Sequence, residues 1–139
     1  MKNLIALVAM LLCSVFAWIQ TTGDCGSNVT WTLNDEGTLT ISGEGPMTDY
    51  DSSKAPWYSS KENITAVVIE EGVTSVGACA LYQCTKITSI TIPSTVKTIG
   101  EWAFFYCKGL KELHIPSVEL WCKMTFDDNV FNNAAANND

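Results

Sequence analysis

The chain has 139 residues, with eight Lys, no Arg and fifteen Asp or Glu, for a formal net charge of −7. An acidic chain without arginine lacks the planar, bidentate grip on phosphate, so nucleic acid and anionic lipid surfaces are excluded as expected partners. The length suits one domain once an N-terminal segment is set aside.

That segment comes first in chain order. Met1-Lys2-Asn3 leads into an apolar run from Leu4 to Leu12, followed by Cys13-Ser14-Val15-Phe16-Ala17. One positive charge, an apolar stretch and small or apolar residues at −3 and −1 make a secretory signal over residues 1–17. The cut is expected after Ala17, and no later than about Gly23. The run is shorter than the roughly 20 residues a spanning helix needs. Leu12 stands where a lipobox before Cys13 would carry Gly, Ala or Ser, which favours cleavage over lipidation. The mature chain is therefore expected to be secreted or displayed at the cell surface, with no membrane span. From Asp24 onward it keeps seven Lys against all fifteen acidic residues, a formal charge of −8. Two sequons, Asn28-Val29-Thr30 and Asn63-Ile64-Thr65, matter only in a host that glycosylates.

Residues 24–60 read as a β-hairpin with a loop behind it. Val29, Trp31 and Leu33 alternate with threonines, as do Leu39 and Ile41, around Asn34-Asp35-Glu36-Gly37. Two alternating runs flanking a short Asn/Asp/Gly loop predict an antiparallel pair. Gly43 to Ser53 is rich in Gly, Pro, Ser and Asp and reads as loop.

Residues 61–126 repeat themselves. Ile64-Thr65-Ala66-Val67-Val68-Ile69, Ile87-Thr88-Ser89-Ile90-Thr91-Ile92 and Leu110-Lys111-Glu112-Leu113-His114-Ile115 each follow L-x-x-L-x-L, and each begins 23 residues after the last. Agreement continues at Val73 and Val96, Val76-Gly77 and Ile99-Gly100, Ala80-Leu81 and Ala103-Phe104, and Cys84 and Cys107. A fixed period in the twenties with this strand segment is the pattern of a leucine-rich repeat. Its first, fourth and sixth places point inward, and the strand stacks in parallel on its neighbours. Pro93 and Pro116 end the strand because proline cannot donate to a ladder. Gly77 and Gly100 are expected to turn the chain. The apolar spacing of Trp102-Ala103-Phe104-Phe105-Tyr106-Cys107 predicts one or two helical turns on the outer side.

These units resemble the BspA-like leucine-rich repeats, whose units run "IG…AF…C…L"; here that is Ile99-Gly100, Ala103-Phe104, Cys107 and Leu110. The upstream Cys25-Gly26, Gly37-Thr38-Leu39-Thr40-Ile41-Ser42-Gly43, Gly45-Pro46-Met47 and Ala55-Pro56-Trp57-Tyr58 match what precedes such repeats. The third unit departs after Pro116, with Lys123 and Val130 in place of the glycine and terminal cysteine. The resemblance covers about residues 24 to 126. It implies an α/β repeat: a short solenoid of about three units with period 23 and parallel strands, preceded by an N-terminal β-hairpin cap. It also implies a role like that of adhesins and surface antigens. A solenoid needs its first unit covered, and the hairpin with Pro56-Trp57 is the expected cap. Residues 127–139 read as a polar tail, disordered or truncated, leaving an uncovered C-terminal edge through which the chain could self-associate.

Six cysteines in an exported chain suggest disulfides, and five survive cleavage. Cys84 and Cys107 share one repeat position and are expected to stack inside as small hydrophobes. One bridge among Cys25, Cys79 and Cys122 remains open. Cys79-x4-Cys84 is half a zinc site at best, so neither metal nor cofactor is expected. His114 is the only histidine, at an outward strand place, and reads as surface rather than as a catalytic base. Gly43-Glu44-Gly45-Pro46 lacks the Lys-Ser/Thr pair of a phosphate loop. Asp49 and Asp51, or Asp127 and Asp128, could pair as carboxylates for glycoside hydrolysis, but loop acids at that spacing are usually solvated turn residues. What is left is the outward strand face: Thr65, Thr88 and Lys111 in one column, Ala66, Ser89 and Glu112 in the next, and Val68, Thr91 and His114 in the third. Thr65, Val68, Thr88, Thr91, Lys111 and His114 are the candidate binding residues, for an extracellular protein or glycan. The Trp102/Phe105/Tyr106 side is a second candidate surface. The expectation is a non-catalytic recognition module. A structural spacer or partial array ranks second, and a glycosidase third.

Overall fold

The structure is a computed structural model that describes residues 21–131. The expected signal segment over residues 1–17, and residues 132–139 of the expected tail, lie outside the described residues. Among the described residues ten strands form two sheets. The longer sheet contains β1 (Thr21–Asp24), β2 (Val29–Leu33), β3 (Thr38–Gly43), β5 (Ala66–Ile69), β7 (Ser89–Thr91) and β9 (Glu112–His114), in the order β1-β2-β3-β5-β7-β9. The shorter contains β4 (Gly45–Pro46), β6 (Val73–Val76), β8 (Thr98–Ile99) and β10 (Thr125–Phe126), in the order β10-β8-β6-β4.

Two antiparallel pairings open the longer sheet. β2 pairs with β3 around the Asn34–Gly37 loop, where the Thr38 amide donates to Asn34 Oδ1 at 2.8 Å. β1 adds a strand the sequence did not suggest, with Gly23 opposite Trp31. From β3 onward every pairing is parallel, and the register places Ala66, Ser89 and Glu112 side by side. The hairpin's second strand is thus also the first rung of the parallel array.

Inward and outward places follow the pattern of the L-x-x-L-x-L segments. Ile64, Val67, Ile69, Ile87, Ile90 and Ile92 are all buried, while Leu110, Leu113 and Ile115 of the third coil are half-buried. One apolar core runs from Cys25 to Val130, with Trp57 and Phe104 its largest fully buried side chains. Trp57 ties the N-terminal stretch to the first coil by donating its indole N–H to Ala80 O at 2.8 Å.

The outer side corrects one expectation. Trp102–Cys107 forms turns rather than helical turns. Cys79, Gln83, Trp102 and Tyr106 have positive φ, at two repeat positions 23 residues apart. The amides alternate in use: Ala80, Tyr82 and Cys84 bond back within their own coil, while Cys79, Leu81 and Gln83 donate to Glu101, Ala103 and Phe105 of the next. A helix would spend all those donors internally and leave the coils unstitched. Among the described residues the α-helix is α1 (Val118–Lys123), in the third coil, where Ser117 caps it by accepting from the Leu120 amide.

Gly77 and Gly100 also differ from expectation. Neither has positive φ; a Cβ on Gly77 would strike Thr48 O, and one on Gly100 would lie 2.5 Å from Ala78 N. They are glycines because neighbouring coils touch there, not because the chain reverses.

Residues 127–131 of the span read as tail are tied to the coils. Asp127 donates its amide to Ile99 O, Val130 O accepts from the Phe104 amide, and Phe131 packs on Phe104 at 5.2 Å.

Candidate recognition face

The outward face of the longer sheet gathers the candidate residues. Register alignment produces one row across all six strands: Thr22, Thr32, Thr40, Val68, Thr91 and His114. A second row runs Thr38, Ala66, Ser89 and Glu112. Val68, Thr91 and His114 therefore do lie together. The repeat alone pointed to that half of the row; Thr22, Thr32 and Thr40 were missed. The signal for Thr32 and Thr40 was present in the Thr-Trp-Thr and Thr-Leu-Thr alternation, but placing them beside the repeat strands requires knowing that β3 pairs with β5; Thr22, in β1, had none.

Thr65, Thr88 and Lys111 form their own column at the strand starts, where the Thr88 amide donates to Thr65 O and the Lys111 amide to Thr88 O. The two threonine hydroxyls are already engaged. Thr88 Oγ1 donates to Thr65 O at 3.2 Å, and Thr65 Oγ1 reaches Gly37 O at 3.3 Å. His114 Nε2 lies 3.1 Å from Glu112 Oε2, both side chains exposed.

At the C-terminal ends of β5, β7 and β9 the face runs into an open cleft of about 360 Å³. Ile69, Ile92 and Ile115 with Pro93 and Pro116 make its apolar lining, and Glu70, Glu71, Thr91 and His114 its polar rim. Glu71 accepts from the Ser94 amide at 2.9 Å and from Ser94 Oγ at 2.8 Å, which holds its carboxyl below the ordinary value of 4.5.

The opposite, outer side carries an aromatic cluster. Tyr82 stacks on Phe105 at 5.0 Å, and Trp102 and Tyr106 flank Phe105 at 5.8 and 6.1 Å. Lys108 Nζ lies 4.1 Å above the Tyr106 ring. Most ring faces are spent on one another, so this side offers edges more than platforms.

The remaining candidates resolve into structural parts. Cys84 and Cys107 are buried in neighbouring coils, and burial pushes both thiols up to about 12. Cys107 Sγ donates to Leu81 O at 3.2 Å. Cys25, Cys79 and Cys122 are unbridged, and only Cys122 is exposed. Asp49 Oδ1 accepts from the Ala78 amide at 2.8 Å, holding a loop to a coil. Asp127 and Asp128 share a shallow hollow with Glu101 and Phe126. Among the described residues no group of three or more His, Cys, Asp or Glu could hold a metal, and no helix is long and apolar enough to cross a membrane.

Residues 54–137 match the family described as "BspA type Leucine rich repeat region (6 copies)". The chain belongs to the BspA-type leucine-rich-repeat family. The BspA-type module is also similar to a solved leucine-rich repeat protein from Eubacterium ventriosum, at 33% identity and a TM-score of 0.69, over 77% of this chain and 28% of that one. A leucine rich cell surface protein from Faecalibacterium prausnitzii aligns at 22% identity and a TM-score of 0.42, over 79% of this chain and 38% of that one. The module thus spans well under half the length of either structure. No curated protein matches it.

Proposed function

We propose that this BspA-type module is a secreted or surface-displayed recognition unit that binds an extracellular protein or glycan through the outward face of its longer sheet, without catalysis or cofactor. The observation that carries the reading is the unbroken outward row from Thr22 to His114, ending beside an apolar cleft. Short hydroxyl side chains on a sheet lose little rotamer entropy when a partner settles on them. Export follows from the signal over residues 1–17. The early cut after Ala17 is preferred because a cut at Gly23 would remove most of β1 and its pairing with β2. In this reading β1 to β3 with Trp57 cover the first coil, and residues 61–126 carry the repeats.

The test is binding of the purified chain to immobilised matrix proteins and to a glycan array, with Thr40→Lys, Thr91→Lys and His114→Ala beside it. Loss of a wild-type signal in these variants, with unchanged circular dichroism, supports the face. Retention of the signal in all three sinks it.

A structural spacer is the second reading. It is favoured by the Thr65 and Thr88 hydroxyls, which bond down the column and not outward. Under that reading wild type gives no signal on either array.

A further inference from the structure

The position that follows each repeat strand is held by Glu70, Pro93 and Pro116, and the one after it by Glu71, Ser94 and Ser117. The first coil thus carries two carboxylates where the next two carry proline and serine. Glu70, Pro93 and Pro116 make a column along the cleft at the C-terminal ends of β5, β7 and β9. Stacked strands are about 5 Å apart, so the column runs about 10 Å from its acidic end to Pro116. Ile69, Ile92 and Pro93 are buried at the floor of the cleft, and Ile115 is half-buried.

Both glutamates are exposed, and among the described residues neither has an ion-pair partner. No lysine lines the cleft. Glu71 is also held in place. Its Oε1 accepts from the Ser94 amide and hydroxyl at 2.9 Å each, while Oε2 shares only that hydroxyl, at 2.8 Å. Oε1 is therefore filled, and Oε2 keeps a free lone pair. A guanidinium fork uses both oxygens of a carboxylate, whereas an ammonium is a point charge on a flexible four-carbon stem. Such a stem covers apolar surface while its head stays at the polar rim.

We propose that the cleft receives a lysine side chain of the extracellular protein bound by the outward face, its stem along Pro116 and Pro93 and its ammonium at Glu70 and Glu71. Charge complementarity selects this occupant: an apolar floor leads to two carboxylates that lack a countercharge. The inference rests on the recognition reading and deepens it, since the sheet supplies area and the cleft supplies selection by charge.

Amide chemical shifts of the 15N-labelled chain, titrated with the capped peptide Gly-Gly-Lys-Gly-Gly, test the cleft directly. Saturable shifts are expected at Glu70, Ile92 and Ile115. Norleucine or arginine in place of the lysine, or Glu70→Gln in the chain, should weaken binding about threefold or more. Glu70→Gln serves better than Glu71→Gln because it leaves the bonds to Ser94 intact. Asp127→Asn with Asp128→Asn removes two charges away from the cleft and should leave the affinity unchanged. Shifts that do not saturate, that norleucine or arginine reproduces, or that the Asp127 and Asp128 pair lowers as far as Glu70→Gln does, overturn the proposal. Its failure is separable from that of the face. An array partner released by Thr40→Lys, which lies outside the cleft, but not by Glu70→Gln keeps the face and sinks the lysine.

Discussion

Glu71 lies between β5 and β6, and its carboxylate is the clearest electrostatic tie between coils. It accepts from both the amide and the hydroxyl of Ser94, 23 residues further on. Those bonds favour the ionised form, so the folded-state value sits below the ordinary 4.5. A depressed carboxylate contributes its stability in full above the unfolded value and loses it as the pH falls through the folded one. The melting temperature of wild type should therefore exceed that of Glu71→Gln at about pH 6, and the gap should narrow as the pH falls below the ordinary 4.5. An unchanged gap across that range would mean Ser94 is held by something else. Trp57 makes the neutral counterpart of this tie, buried and donating to Ala80 O. Trp57→Phe keeps most of the ring volume but orphans that carbonyl, and should cost about 1–3 kcal/mol in urea denaturation.

Strand by strand, legibility tracked length and repetition. β5, β7 and β9 could be read because three copies of one apolar spacing recur at a fixed interval, and stacking then fixes their register. β4, β6, β8 and β10 form a second sheet that the sequence hides, since two to four residues are too few for alternation to declare itself. The outer turns misled for a different reason. Apolar residues at three and four apart mark a helix face, but they also arise when a chain alternates bonds to itself and to the next coil. Trp102 and Tyr106 at positive φ reveal the second case, and large aromatics give no sequence hint of that conformation. On the candidate face, the half carried by repeats was legible and the half carried by β1 to β3 was not, because pairing between β3 and β5 is a tertiary fact. One consequence concerns equivalent places in neighbouring coils. Ile90 is fully buried, whereas Leu113 is half-buried. Ile90→Ala should cost about 2–5 kcal/mol, and Leu113→Ala less than half of that, when both are unfolded in urea at concentrations that keep the chain monomeric.

Across the whole molecule, each coil contacts only its neighbours, so stability is distributed along the axis instead of residing in one centre. The N-terminal side of the described residues has two antiparallel pairings, with Trp57 packed edge to face on Trp31 and on Tyr50. The other end has half-buried apolar residues, a short helix and a two-residue strand. Opening free energies should fall along that direction, since few buried contacts oppose local unfolding of the third coil. Native-state hydrogen exchange reads this directly. Amides of β3, β5 and β7 should be protected to the level of global unfolding, and those of β9 and β10 should exchange sooner. The Leu113 amide points away from β7 and gains nothing from that ladder, so its exchange should be faster than that of the Glu112 and His114 amides, which face β7. Equal exchange at all three would mean that the β7 ladder is not what protects β9.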